Sequence, residues 1–211
     1  MTTTVLLVDD HAVVRAGYRM LLGSTGRFSI VGEAENATEA VRLYTQLRPT
    51  VVVMDLSLPG MSGVEGIRRI RQRDANARIL VFTMHASVAH LELALDAGAL
   101  GYLTKECDPA ILEKALLRVA GGGTFLDRTL AEELAVLRSR GPISPLSALS
   151  SREFEVFRLM ADGGTISSMA TQLSVSQKTI SNYMSQVKQK LGTNTSAELT
   201  RLAIRLGVVS V

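Results

Sequence analysis

Along the first 120 residues, short apolar runs alternate with stretches whose apolar positions recur at helical spacing. VLLV at 5–8, VVVM at 51–54 and ILVF at 79–82 have no polar interruption, as expected of strands buried on both faces of a parallel sheet. The pattern predicts strands near 4–8, 28–34, 50–54, 78–82 and 101–103, and helices near 11–22, 37–47, 63–73, 87–97 and 109–120. Five consecutive βα units imply an α/β domain with a doubly wound, five-stranded parallel sheet.

The remainder reads differently. Gly121, Gly122 and Gly123 stop the fifth helix, and a further helix near 127–138 starts from Asp127 as its cap. RSRGPISPLSAL, with Gly141, Pro142 and Pro145 among serines, is an interdomain linker in composition. From Ser150 onward only helical signals occur. Ser150 and Glu153 form a capping box, Gly163 and Gly164 end that helix, a short helix begins at Thr165, and Ser176 caps a longer one before TSAELTRLAIRLG. The expected organisation is a domain over 1–122, a linker over 123–147, and a small all-α domain of four helices over 148–211. Two of its helices, separated by a short turn, have the spacing of a helix-turn-helix.

Polar residues stand where the apolar strands run out: Asp9 and Asp10, Asp55, Thr83 and Lys105. Ligands of an open parallel sheet bind outside the carboxyl ends of its strands, so these residues are expected to converge. In a flavodoxin-like sheet of order 2-1-3-4-5, the first and third strands flank the switch point, and Asp9, Asp10 and Asp55 end those two strands. Three carboxylates together require a compensating cation. Mg²⁺ prefers oxygen ligands and shares them with phosphate, Lys105 suits a phosphoryl oxygen, and the Thr83 hydroxyl can donate to another. The chemistry this suggests is attack by Asp55 on a phosphoryl donor, giving an acyl phosphate. An Asp after a strand is often only a helix cap, and Asp10 admits that reading.

Charge changes the picture in the last third. Residues 1–120 carry 13 Lys and Arg against 13 Asp and Glu, residues 121–147 carry 3 against 3, and residues 148–211 carry 7 against 4, so the whole surplus of +3 lies there. In the longer helix Ile180, Met184, Val187 and Leu191 form one apolar stripe, whereas the other side presents Lys178, Asn182, Ser185 and Gln189, flanked by Ser181 and Gln186. No Asp or Glu occurs in 176–191. Such a face suits a nucleic acid: Asn, Gln and Ser can bond base edges, and Lys178, Lys188 and Lys190 can meet phosphates. The apolar runs are strand length, too short to span a membrane, and a single cysteine, Cys107, excludes a disulfide framework. A cytoplasmic setting is expected. His11 reads as a rim residue rather than a metal ligand.

Residues 1 to about 120 resemble the receiver domain of bacterial two-component response regulators. The matching residues are the pair Asp9 and Asp10, Asp55 as phosphoacceptor, Thr83 as switch hydroxyl, Tyr102 as switch aromatic, and Lys105. LSSREFEVFRLMADGGT with MATQLSVSQKTISNYMSQVKQKLG resembles the LuxR-type DNA-binding domain, and together the pattern is that of NarL/FixJ-type regulators. The chain departs at Ile166, Ser167 and Ser168, where that family usually has Asn-Lys-Glu, and at Ser181 and Tyr183, where it usually has Lys and His. The resemblance implies phosphorylation of Asp55 by a sensor histidine kinase, with Mg²⁺ held by Asp9, Asp10, Asp55 and the Ser57 carbonyl. Ser57 and His85 are implied to line the approach of water to the phosphoaspartate. It further implies a homodimer on double-stranded promoter DNA, contacts from Lys178, Thr179, Ser181, Asn182, Ser185, Lys188 and Lys190, a dimer contact at Ile204, and RNA polymerase as a further partner. Two other readings stand beside it: a slow Mg²⁺-dependent aspartyl phosphohydrolase, in which Ser57 occupies the place of the usual second acid, and a phosphate-independent receiver acting as a protein-binding module.

Overall fold

In a computed structural model, residues 2–139, 145–206 and 208–209 are described. Contacts divide the chain into two compact units, Met1–Ala86 with Ala94–Ala131 and Ser87–Leu93 with Glu132–Val211. Gly141 and Pro142 of the expected linker lie outside the described residues. None of the described helices is long and apolar enough to cross a membrane.

The first unit is built on β1 (Thr3–Val8), β2 (Phe28–Ala34), β3 (Val51–Met54), β4 (Ile79–Thr83), β5 (Gly101–Thr104) and β6 (Phe125–Leu126). All pairs are parallel, in the order β2-β1-β3-β4-β5-β6. The expected order holds for five strands, but the count is six. The correction is the two-residue β6, added to the edge of β5 by the Phe125 N–H on the Leu100 carbonyl and the Asp127 N–H on the Tyr102 carbonyl. Two residues carry no alternation to read, so only pairing reveals the strand.

The uninterrupted runs are explained by burial: Val51, Val52, Val53 and Met54 are all buried, and their side chains alternate between the two sheet faces. On one face Val5, Leu7, Val51, Val53, Leu80, Phe82 and Leu103 pack with α1 (Ala12–Ser24) and α5 (Pro109–Ala120), through Leu22, Leu112, Ala115, Leu116 and Val119. On the other, α3 (Gly63–Arg73) approaches α2 (Ala37–Leu47) at Gly66, where an added Cβ would lie 2.9 Å from that of Ala37 and 3.5 Å from Met54. Asn36, Ser62 and Asp108 cap α2, α3 and α5. Asp10 caps nothing: the N-cap of α1 is His11, without a side-chain capping bond. The remaining helix in this stretch is α4 (Val88–Asp96).

Asp127 caps α6 (Arg128–Ser139), accepting from the N–H groups of Thr129 and Leu130. A 3₁₀ turn at Pro145–Ala148 precedes α7 (Ser151–Ala161), α8 (Ile166–Gln172), α9 (Gln177–Leu191) and α10 (Ser196–Arg205). The Ser150–Glu153 capping box is formed, a second joins Thr195 to Glu198, and Thr165 and Ser176 cap α8 and α9. Gly192 closes α9 in the left-handed conformation at φ 64°. Helices α7, α9 and α10 enclose Phe154, Phe157, Ile180, Val187, Leu199 and Ala203, all nearly inaccessible. Between α8 and α9, Ser174 takes φ 53°, and the Val175 N–H returns to the Ala170 carbonyl at 3.0 Å. This makes the tight turn of a helix-turn-helix.

One ion pair staples that unit. Glu153, 3% exposed, completes the capping box and also receives the Lys190 ammonium at 2.7 Å. Burial pushes the Glu153 pKa up, but Lys190 and the bonds from Ser150 outweigh it and hold it below the ordinary glutamate value. Its contribution to stability is therefore present above the usual glutamate range and lost as pH falls through the lowered folded value.

Two stability measurements follow from these contacts. A Cβ on Gly63 would lie 2.0 Å from the Asp55 carbonyl oxygen and 2.8 Å from Leu56 Cα, both backbone, so Gly63→Ala should lower stability in urea by about 3 kcal/mol, the upper end of overpacking costs. Lys190→Met should cost about 1–3 kcal/mol at neutral pH, as for a buried group deprived of a charged partner, and less at a pH below the depressed folded value of Glu153, where the wild-type carboxylate is protonated too. An equal loss at both pH values would show that the ion pair is not the source.

Candidate functional site

Register assembles the first site. Val8 pairs with Met54 at the ends of β1 and β3, so the next residues, Asp9 and Asp55, emerge side by side. Their N–H groups continue the ladder, Asp9 to the Ala34 carbonyl at 3.1 Å and Asp55 to the Val8 carbonyl at 2.9 Å. Thr83 and Thr104 pair at the ends of β4 and β5, and the Lys105 N–H bonds to the Thr83 carbonyl at 2.8 Å. Strand ends far apart in sequence thus form one row.

The Lys105 side chain bridges that row. Its Nζ lies 2.5 Å from Asp55 Oδ2 and 2.6 Å from Asp9 Oδ2, and all three side chains are at least nine-tenths buried. Burial alone would lower the pKa of the ammonium, but the hydrogen bonds and charges of Asp55 and Asp9 outweigh it and raise that pKa. Asp10 sits at the rim with its side chain one-third exposed, and the His11 ring stands over the pair, its Nδ1 2.8 Å from Asp10 Oδ1 and 3.3 Å from Asp9 Oδ1. Three carboxylates against one ammonium leave an oxygen-rich donor set with negative charge in excess, which fits a hard divalent cation.

Thr83 and Tyr102, the expected switch residues, adjoin this site. Thr83 is fully buried, with the His85 N–H at 3.5 Å from its hydroxyl oxygen. Tyr102 is also fully buried, and its hydroxyl donates to the His85 carbonyl at 2.7 Å. Burial, with a smaller effect of the Asp55 charge, pushes the Tyr102 pKa well up. The ring of Tyr102, expected from the resemblance as a switch aromatic, therefore already lies inward. Ser57 donates its N–H to Asp55 Oδ1 at 3.3 Å, and its hydroxyl lies 2.7 Å from His85 Nε2.

One neighbour of the site escapes the sequence reading. Arg15, 7% exposed, anchors the Asp9 main chain through NH1 on its carbonyl at 2.6 Å and pairs with Glu35 at 2.7 Å and Glu33 at 3.4 Å. A signal was available: Arg15 follows His11 by four residues, one turn along the helix that leaves the acidic pair. The seating of His11 on both carboxylates carried no such signal.

The second site is the outer face of α9. Lys178, Ser181, Asn182, Ser185, Gln186 and Gln189 are exposed there, and Thr179 and Lys188 are half-buried. Ser181 and Ser185 donate their hydroxyls to the Gln177 and Ser181 carbonyls, both at 3.1 Å, which leaves their lone pairs as acceptors. Lys190 does not stand with these residues as a free cation, because its ammonium is held on Glu153. Sequence spacing places Lys190 near the polar face but cannot show the partner that α7 brings. On α10, Leu199, Leu202 and Ala203 are buried, whereas Ile204 is 41% exposed.

Residues 5–117 match the family described as response regulator receiver domain, and residues 147–203 match the bacterial regulatory proteins of the luxR family. The transcriptional activator protein ExaE of Pseudomonas putida is 39% identical over 98% of both chains. A LuxR-family two-component response regulator from Aurantimonas sp. SI85-9A1 is similar in structure, with a TM-score of 0.63 and 46% identity over 66% of this chain and 99% of that one. RcsB from Salmonella enterica serovar Typhimurium, bound to the promoter rprA in the presence of a phosphomimetic, gives a TM-score of 0.65 at 29% identity over 99% of this chain and all of that one. Carrying both matched regions in one chain, with a relative aligned over nearly its full length, this protein belongs to the response regulators that join a receiver domain to a LuxR-type DNA-binding domain.

Proposed function

We propose that Asp55 is the phosphoacceptor, that a sensor histidine kinase is the donor, and that phosphorylation governs sequence-specific DNA binding by a dimer. The observation that carries this reading is the Lys105 ammonium held between Asp55 and Asp9 at a buried strand edge. An Asp55 oxygen attacks phosphorus as the donor's P–N bond breaks, and Lys105, already in contact, neutralises charge gathering on the phosphoryl oxygens. Asp9, Asp10, Asp55 and the Ser57 carbonyl are the residues to hold Mg²⁺, which when bound supplies further neutralisation of those oxygens. Thr83 is the hydroxyl to meet the new phosphoryl group, and its displacement acts on the β4–α4 loop that Tyr102 holds through the His85 carbonyl. Ser57 stands where an aspartyl phosphohydrolase commonly needs an acid, so hydrolysis of the acyl phosphate is slow and the chain acts as a regulator rather than a turnover enzyme. The proposed division is a receiver over 1–122, a linker over 123–147 and a DNA-binding domain over 148–211, working in the cytoplasm.

For DNA, α9 is the helix for the major groove. Asn182, with Ser181 and Ser185, reads base edges; Lys178 and Lys188, with Thr179, meet phosphates; Lys190 serves the fold. Ile204 on α10 is the dimer contact.

With acetyl phosphate and Mg²⁺, wild-type protein should gain a base-labile phosphoryl group seen by intact mass. Asp55→Asn should gain none while remaining folded, with a cooperative unfolding transition in urea. Labelling of that variant at the wild-type rate would remove Asp55 from the role.

DNA binding separates the α9 residues. Lys188→Ala should weaken specific and random DNA alike and flatten the salt slope by about 0.9 for each phosphate it no longer neutralises. Asn182→Ala should instead cut discrimination among sites by about 1–3 kcal/mol. Ile204→Glu, in the same titrations, should reduce cooperativity and leave the salt slope in place. Equal losses from Lys188→Ala and Asn182→Ala on both DNAs would assign base reading to another element.

A further inference from the structure

The His11 side chain is not used to start its helix. Its backbone begins α1, but its ring makes no capping bond, and two-thirds of the side chain is exposed. The ring instead rests on the two carboxylates at the rim of the acidic pocket. Asp9, Asp10 and His11 form the one set of three among the described residues whose ligand atoms all lie within 4.8 Å of one another.

We infer that His11 Nδ1 is a third protein ligand for a divalent transition cation at this rim, giving the pocket a preference for Ni²⁺-like ions that Mg²⁺ does not share. The inference rests on the reading that Asp9 and Asp10 hold a divalent cation. The spacing suits it: Nδ1 lies 2.8 and 3.3 Å from the two carboxylate oxygens, and neighbouring ligands on bonds of about 2.1 Å stand roughly 3.0 Å apart in an octahedron. The inner oxygens, Asp9 Oδ2 and Asp55 Oδ2, are already occupied by Lys105. The rim oxygens facing His11 are clear of the ammonium; Asp9 Oδ1 accepts the His11 backbone N–H at 2.9 Å and keeps further lone-pair capacity for a cation. Imidazole nitrogen is a good donor to late first-row ions and a poor one to Mg²⁺, which holds oxygen ligands and keeps its waters. Swapping one carboxylate-site water for a ring nitrogen therefore raises affinity along the series from Mn²⁺ to Ni²⁺ and leaves Mg²⁺ where it was.

Calorimetric titration of the full-length protein with NiCl₂ and with MgCl₂ tests this. His11→Ala should lower Ni²⁺ affinity about tenfold or more, the scale on which metal sites respond to the loss of a supporting group, and should change Mg²⁺ affinity by less than about twofold, since oxygen ligands remain. Asp10→Asn should weaken both cations, which locates nickel at the same rim. An unchanged Ni²⁺ affinity in His11→Ala, or equal losses for both cations, removes His11 as a ligand. Wild-type nickel affinity in Asp10→Asn puts nickel elsewhere and overturns the inference too. If wild-type protein binds neither cation, the acidic-pocket reading itself fails, and that outcome is distinct from binding of both with no effect of His11.

Discussion

A single ammonium between two buried carboxylates governs the first unit. Lys105 leaves β5, passes across the end of β4 and reaches both Asp55 and Asp9. Carboxylates so far removed from water are costly unless paired and hydrogen-bonded, so the lysine is a condition for placing acids at the inner end of a parallel sheet at all. The same contact keeps a carboxylate oxygen of Asp55 beside a cation. The stability of the buried acids and the geometry that the proposed phosphoacceptor role calls for thus have one source.

The geometry around that contact is overdetermined. Ladder bonds run one residue past β1 and β3 to the main chains of Asp9 and Asp55, and Arg15 grips the Asp9 carbonyl from α1 while Glu33 and Glu35 balance its charge. Gly63 lets the chain after Asp55 fold back on itself, with no room for a Cβ. Side chains held in this way need little reorganisation when charge develops. Beside Thr83, the Tyr102 hydroxyl on the His85 carbonyl, and the His85 ring on Ser57, tie the loop after β4 to the loop after β3. A displaced Thr83 would act on a linked structure rather than on a free loop.

The helical unit solves a different problem, presenting cations without carboxylates beside them. Three acids of the C-terminal helices are drawn inward or into caps, Glu153 and Glu198 closing capping boxes and Glu155 pairing with Arg152, while Asp162 lies exposed beside Arg158. What remains outward on α9 is amide, hydroxyl and lysine. One lysine of the helix is consumed by this arrangement, because Glu153 at the start of α7 needs Lys190 near the end of α9.

How much of this was legible beforehand depended on whether the cause was local. Strand-length apolar runs, period-3.6 stripes and caps at Ser150, Thr165 and Ser176 depend on neighbours a few residues away, and the elements stand where those signals put them. The convergence of Asp9, Asp55, Thr83 and Lys105 was legible too, because parallel strands place their carboxyl ends along one edge whatever the helices between them do. By contrast, β6 has two residues and exists only through pairing with β5. The partner of Lys190, the inward ring of Tyr102 and the seat of His11 on two carboxylates are likewise decided by packing between segments distant in the chain or by the angle at which a strand turns into a helix. Periodicity determines which face a residue occupies; only tertiary structure determines which charge it meets there, because that pairing depends on distances no sequence spacing encodes.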